Sequence, residues 1–225
     1  MFNVKLICYL KSDIRLIKFS NMKERLDIIL IHIFNSKHFL NIVEAGAGNG
    51  IDDSPSYTLE KFFSANVILI EPIRLSYAEC RANRSGQVVN AAFSDINFGY
   101  VTFQEMHIRS LSRVKFAKRD RLEHRRTVRN EYPVETITLN YLAQSKFPGK
   151  DIDILILDTE GSELRTLRSI DFDLLQINAI CVEHNYRSDR IDIRNFLIAN
   201  GYRQTAKNIS FNNDIFVHKN SKCNC

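Results

Sequence analysis

Tryptophan is absent from the 225 residues, so the aromatic mass rests on 15 Phe and 8 Tyr. Cysteine is sparse and odd in number: Cys8, Cys80, Cys181, Cys223 and Cys225 stand scattered along the chain. That pattern excludes the framework of a disulfide-stapled secreted domain and fits a reducing compartment. Cys181 lies within an apolar run, which predicts a buried thiol. Cys223-Asn224-Cys225 has no histidine or further cysteine close by to complete a metal site, and reads as a frayed tail. Long apolar runs are also missing. The longest patch, Ile28 to Phe34, is short and contains His32, so no bilayer span is expected. Near the start, LICYL is followed at once by Lys11, Asp13 and Arg15, too brief a stretch for a secretory signal. The expected location is cytoplasmic. There is no internal repeat and no low-complexity linker.

Hydrophobic residues make up 44% and charged residues 25%, enough to bury a full core. The net charge of +5 is mild and does not by itself imply nucleic acid. The length suits one domain with a small extension. The division expected is an N-terminal helical extension over residues 1–40 and a main domain over 41–225. Apolar spacing (Met22, Leu26, Ile29, Leu30, Ile33) predicts an amphipathic helix over 21–40.

Beyond residue 40 the pattern alternates. Strands are expected near 41–45, 67–71, 87–92 and 151–158, and at 179–183, with helices over 56–64, 75–83, 136–145, 162–170 and 191–200. IDILILD is apolar on both faces, as in the middle of a parallel sheet. Gly99 to Gln104 alternates like a short antiparallel strand. Residues 202–206 and 214–218 close the chain as two strands of a hairpin. Strands alternating with helices predict an α/β fold, a mostly parallel sheet covered on both faces, and a single sheet fits the length.

The stretch NIVEAGAGNG carries the most information. A strand ends near Glu44, and Gly46, Gly48 and Gly50 follow at alternating positions. Glycine admits positive φ and removes the Cβ that would block a flat ligand. The next strand ends in Glu71, where an acidic side chain holds a ribose diol in a two-strand nucleoside site. Nicotinamide and flavin folds favour G-x-G-x-x-G around a pyrophosphate. Here the pattern is E-x-G-x-G-x-G with no basic residue in the turn. Glu44 would repel a pyrophosphate and would suit S-adenosylmethionine, which carries a sulfonium and an ammonium group and no phosphate. A glycine turn without a ligand is the plain alternative.

Glu44, Glu71, Asp158 and Glu183 each end a strand, and ligands of open parallel sheets bind outside those ends. Four carboxylates are therefore expected along one crevice, although each alone could simply cap the following helix. Asp158-Thr159-Glu160-Gly161-Ser162-Glu163 is the densest cluster. One of its carboxylates could take a proton from a substrate hydroxyl as a methyl group arrives. His184 is a second proton acceptor to consider beside a structural role. Asp158, Glu160, Glu163 and Glu183 could also hold a divalent cation, since hard cations favour carboxylate oxygen; none is expected to be required. Asn90-Ala91 ends the third strand, where an amide could pair with the exocyclic amine of adenine. Residues 107–132 hold nine Arg or Lys against Asp120, Glu123 and Glu131. That basic insert reads either as a mobile segment attracting an anionic acceptor or as a solvated helix. Its few aromatics give little support to base stacking.

Over most of residues 41–218 these motifs resemble the FkbM family of S-adenosylmethionine-dependent methyltransferases. The resemblance is carried by GAGNGIDDSPSYTLEKF, LIEP, Asn83-Arg84, NAAFSD, DILILDTEGSEL, ICVEHN, IANGY and NDIFVHK. It implies a seven-stranded Rossmann-like class I methyltransferase sheet, mostly parallel with an antiparallel final strand, and O-methylation of a hydroxyl on a glycan or related small molecule. The cofactor-binding residues expected are Glu44, Gly46, Ala47, Gly48, Glu71, Pro72, Asn90, Ala91 and Asp158. The catalytic residues expected are Asp158, Glu160, Glu183 and His184. Two positions depart from the family pattern: Glu44 stands where many members have Asp, and Leu139-Asn140 where many have Leu-Asp. Competing readings are an RNA methyltransferase using the basic insert, a non-catalytic S-adenosylmethionine-binding protein, and a dinucleotide oxidoreductase.

Overall fold

The computed structural model describes residues 25–35, 37–206 and 212–221. Seven strands form the main sheet: β1 (Asn41–Ala45), β2 (Asn66–Ile70), β3 (Gln87–Val89), β8 (Ile152–Leu157), β9 (Ile177–Glu183), β10 (Tyr202–Thr205) and β11 (Asn213–His218). Their order is β10-β11-β9-β8-β1-β2-β3. β1, β2, β3, β8 and β9 run parallel, whereas β11 is antiparallel to both β9 and β10. The helices are α1 (Leu26–Ile33), α2 (Pro55–Phe63), α3 (Arg74–Asn83), α4 (Leu139–Lys146), α5 (Glu163–Arg168) and α6 (Arg190–Ala199).

Strand alternation sorts the core into two layers. Val43, Ala45, Ile68, Ile70, Leu155 and Leu157 pack on one face. Ile42, Val67, Leu69, Ile154 and Ile156 pack on the other. Every residue of β8 is buried, as its two-sided apolar sequence requires. Cys80 is a free buried thiol, and Cys181 is buried in the core. The sequence readings at residues 1–20 and 223–225 lie outside the described residues.

Three expectations need correction. The first helix covers only Leu26–Ile33 of the described residues and is not amphipathic. Seven of its eight residues are buried, because it packs into the layer of Ile42, Val67 and Leu69. Its buried Asp27 accepts from Thr58 Oγ1 on α2 at 2.6 Å. The third strand stops at Val89, and Ala92–Phe93 form β4 in a different sheet.

That different sheet is the second correction. β4 (Ala92–Phe93), β5 (Tyr100–Met106), β6 (Arg113–Val114) and β7 (Val128–Ile137) make a four-stranded sheet in the order β4-β7-β5-β6. Ala92, Val101, Phe103, Val114 and Val134 of this sheet cluster with Ile73, at the start of α3. Thr136 and Ile137 belong to β7, so α4 starts at Leu139, with the Thr138 side chain accepting from Tyr141 N.

The basic run is the third. It is neither a helix nor a stripe of bare charge. It threads through β6, two 3₁₀ turns and the start of β7. Arg113 pairs with Glu123 at 2.8 Å, Lys115 with Glu131 at 2.7 Å, and Arg109 with Glu79 at 3.0 Å. No helix among the described residues is long and apolar enough to cross a membrane.

Candidate active site

The carboxyl ends of β1, β2 and β8 meet at the glycine turn. Gly46 has φ +87°, and a Cβ there would lie 1.8 Å from the carbonyl oxygen of Asp158. The turn is tied down by Gly46 N and Ala47 N, which both donate to Ile70 O, and by Asp158 N, which donates to Ala45 O. Gly48 (φ +55°) differs: a Cβ there would meet nothing within 4 Å, so this glycine keeps the approach open. Glu71 closes the turn from β2. Its Oε2 accepts from Gly48 N and its Oε1 from Ile73 N, each at 2.8 Å. Burial pushes the Glu71 carboxyl up to about 7, against the opposing pull of those two backbone bonds.

A cavity of about 350 Å³ opens above this turn, within the range of small-molecule sites. Of the residues expected at the cofactor, Gly46, Gly48, Glu71, Pro72 and Asp158 line it, and Glu160 lines it too. Among the described residues the wall carries six carboxylates (Asp52, Asp53, Glu71, Glu79, Asp158 and Glu160) and one guanidinium, Arg109, which pairs with Glu79. Its apolar part comes from Ile70, Ile73 and Phe93, and from Phe103 and Val114 of the second sheet.

Four expected contacts fall elsewhere. Glu44 does not line the cavity. It shares the strand face of Ile42, and there its Oε2 accepts from Ser54 Oγ (3.1 Å) and Ser56 N (3.2 Å) at the start of α2. Burial raises its pKa, and Arg84 opposes the rise. Arg84 in turn binds Gly50 O, Ser54 Oγ, Ser56 Oγ and Glu60, so Glu44 braces the turn from behind. Asn90 Nδ2 donates to Glu71 O (2.8 Å) and Pro72 O (3.1 Å), which commits its amide donors to backbone. Ala47 and Ala91 are buried away from the cavity wall.

An acidic centre lies beside the cavity. Asp158, Glu160 and Glu183 each place a carboxylate oxygen within 4.8 Å of the others, a spacing at which three carboxylates could hold one divalent cation. Burial, then the neighbouring Glu160 and Glu163, hold the Asp158 carboxyl well above the usual carboxylate range. Glu183 is raised likewise by burial and then by Asp158. Glu160 is also raised by burial, with the Arg126 guanidinium opposing. Arg126 reaches in from the basic insert, with Nη2 at 2.6 Å from both Asp120 Oδ2 and Glu160 Oε2. Asn185 Nδ2 donates to the same Glu160 oxygen at 3.3 Å. Glu160, Asn185 and Tyr186 all have positive φ (56°, 39° and 56°), and such strain persists only where neighbours fix it.

Glu163 is not turned toward the cavity. Its carboxylate accepts from Thr159 N and Gly161 N and pairs with Arg187 Nη2 at 2.5 Å, which caps the turn before α5. His184 is buried and lines neither this cavity nor its neighbour. Its N donates to Asn212 O, and its Nδ1 accepts from Tyr186 N at 3.0 Å.

Sequence reasoning missed Arg126, Arg187, Glu79, Arg109 and Phe103. Arg126 lies 34 residues before Glu160, and no local motif announces the pair. Arg187 follows Glu183 by four residues, the one spacing that hinted at an ion pair.

A seven-stranded sheet of this order, with a glycine turn after β1 and an acid after β2, defines a class I methyltransferase fold. The sequence profile of the Methyltransferase FkbM domain matches residues 44–204, and the chain belongs to that family. A search of curated proteins found no match. Among solved structures, a methyltransferase FkbM from Methylobacillus flagellatus KT is 14% identical with TM-score 0.46, over 80% of this chain and 44% of that one. This chain thus spans less than half the length of that relative. The precorrin-6y C5,15-methyltransferase of Geobacter metallireducens GS-15 is 11% identical with TM-score 0.46, over 85% of this chain and 86% of that one. The human methyltransferase 10 domain containing protein is 10% identical with TM-score 0.47, over 86% and 82%.

Proposed function

We propose that this chain is an S-adenosylmethionine-dependent O-methyltransferase acting on a hydroxyl of a glycan or related small molecule. The observation that carries this reading is the acidic cavity wall at the ends of β1, β2 and β8, where the described residues bring six carboxylates and one guanidinium. A pyrophosphate would be repelled there, and a cationic ligand drawn in. The second oxygen lone pairs of Glu71 suit a ribose diol, since each oxygen accepts only one backbone bond. Gly46 and Gly48 would hold the amino-acid end, and Ile73, Phe93 and Phe103 offer a slot for the base.

Bound S-adenosylmethionine supplies an electrophilic methyl group on a sulfonium. The protein's part is positioning and proton removal. Asp158 stands at the cavity wall with Glu183 behind it, and the raised affinity of that pair for a proton suits a base that receives one from the acceptor hydroxyl. Glu160, fixed by Arg126, would orient the hydroxyl. The catalytic domain in this reading is residues 41–225, with 1–40 as an extension, and the protein works in the cytoplasm.

Calorimetry with S-adenosylmethionine, S-adenosylhomocysteine and NAD, each with and without a divalent ion, tests the cofactor. A panel of neutral and acidic sugars then tests the acceptor. The account expects one-to-one binding of the first two and none of NAD. NAD binding, or no binding at all, would remove it.

A further inference from the structure

We infer that a second cavity beside the first binds an oxyanion, phosphate or sulfate, carried by the acceptor. The inference rests on the methyl-transfer reading of the first cavity. The second cavity, of about 640 Å³, meets the first at Ser162, which lines both. Its wall includes Phe116, Lys118, Arg165, Arg168 and the carboxylates Asp95 and Asp189.

The two acids do not cancel the three cations. Asp95 is taken up by Arg165, with Nε at 2.8 Å, and the same guanidinium lies 4.2 Å over the Phe116 ring. Asp189 lies 3.6 Å from Nε of Arg187, a guanidinium it shares with Glu163 and Glu183, and so stands as the one acid set against the other two cations. Lys118 and Arg168 make no ion pair among the described residues, so two cationic heads are left at one cavity. Among the described residues the neighbouring cavity has the opposite balance, with six carboxylates and one guanidinium in its wall. Joined cavities of opposite charge sort a two-part cargo: the cationic donor on one side, an anionic acceptor on the other.

The position of Lys118 is built into the fold. Its N donates to Gly161 O at 2.9 Å, and a Cβ on Gly161 (φ +113°) would lie 2.5 Å from Lys118 O. Glycine at 161 thus lets the insert seat directly on the turn that carries Asp158 and Glu160. An oxyanion held by Lys118 and Arg168, with the sugar ring toward Phe116, directs a hydroxyl past Ser162 to Asp158.

The test is calorimetric titration of inorganic phosphate, glucose 6-phosphate and glucose into protein saturated with S-adenosylhomocysteine. It is repeated on Arg168→Glu and Lys118→Glu, which alter exposed side chains. Wild-type protein is expected to bind both phosphates and not glucose. Each reversal should weaken phosphate binding by roughly tenfold or more, with melting temperature and S-adenosylhomocysteine affinity unchanged. Phosphate binding indifferent to both reversals, no phosphate binding, or equal binding of glucose and its phosphate would overturn the inference. Failure of S-adenosylhomocysteine to bind shows separately, and strikes the methyl-transfer reading instead.

Discussion

Glu71 holds the amide of Gly48 at 2.8 Å across the first cavity floor, tying the end of β2 to the glycine turn that leaves β1. The two residues proposed to meet the cofactor are thus already fixed to each other. The arrangement has a pH signature. Glu71 has a folded value of about 7 against 4.5 in an unfolded chain. Folded protein therefore binds the extra proton between those values, and its stability falls as pH rises from 4.5 to 7. The gap corresponds to about 3 kcal/mol. Ribose hydroxyls donate to the ionised form. S-adenosylhomocysteine affinity should therefore climb by up to about tenfold per pH unit below 7 and level off above it. Calorimetry from pH 5.5 to 8 reads this, and Glu71→Gln should flatten the curve while weakening binding throughout.

Gly46 and Gly48 should fail in different ways. Gly46→Ala drives a methyl group to 1.8 Å from Asp158 O, and should destabilise by about 3 kcal/mol or more, seen in urea unfolding. A Cβ placed on Gly48 meets no protein atom within 4 Å, so Gly48→Val puts its branch toward the open cavity. It should remain folded, with a strain of about 1–2 kcal/mol from its positive φ, and lose cofactor binding.

Asp158→Asn should keep S-adenosylhomocysteine affinity and lower turnover by about 10²–10⁴-fold, the range of general-base help. Turnover at the wild-type level would remove Asp158 from the chemistry.

Arg126 is buried between Asp120 and Glu160. Arg126→Met leaves two buried carboxylates without a cation, and unfolding should become easier by about 3–5 kcal/mol. Arg126→Lys should recover part of the loss.

Arg125 and Arg129 are exposed, unlike Arg126. Reversing both to Glu should leave stability within about 0.5 kcal/mol and cofactor affinity unchanged. RNA affinity that falls steeply with salt and disappears in this double variant would instead support a nucleic-acid substrate.

The main sheet was legible because its strands are short, apolar and punctuated by acids and glycines: β8 and its following Asp158 could be read directly. The second sheet was not. β5 pairs with β7 across some thirty residues, as in Tyr100 with Glu135, and nothing local in a basic run reveals a distant partner. The charge count misled for a related reason, since Arg109, Arg113, Lys115 and Arg126 are matched by acids from several elements. Glu44 is instructive in another way. Its parity with Ile42, opposite to Val43 and Ala45, already placed it on the α2 side of the sheet. Alternation along β1 outweighs the motif position. Asn90 had no such signal, because its amide is claimed by two carbonyls from the loop after β2.

A crystal structure of the S-adenosylhomocysteine complex tests the central claim most directly. The account predicts the ribose diol on Glu71, the amino-acid end over Gly46 and Gly48, and the sulfur facing Asp158. Ligand density away from the glycine turn, or a dinucleotide bound there in its place, would contradict it.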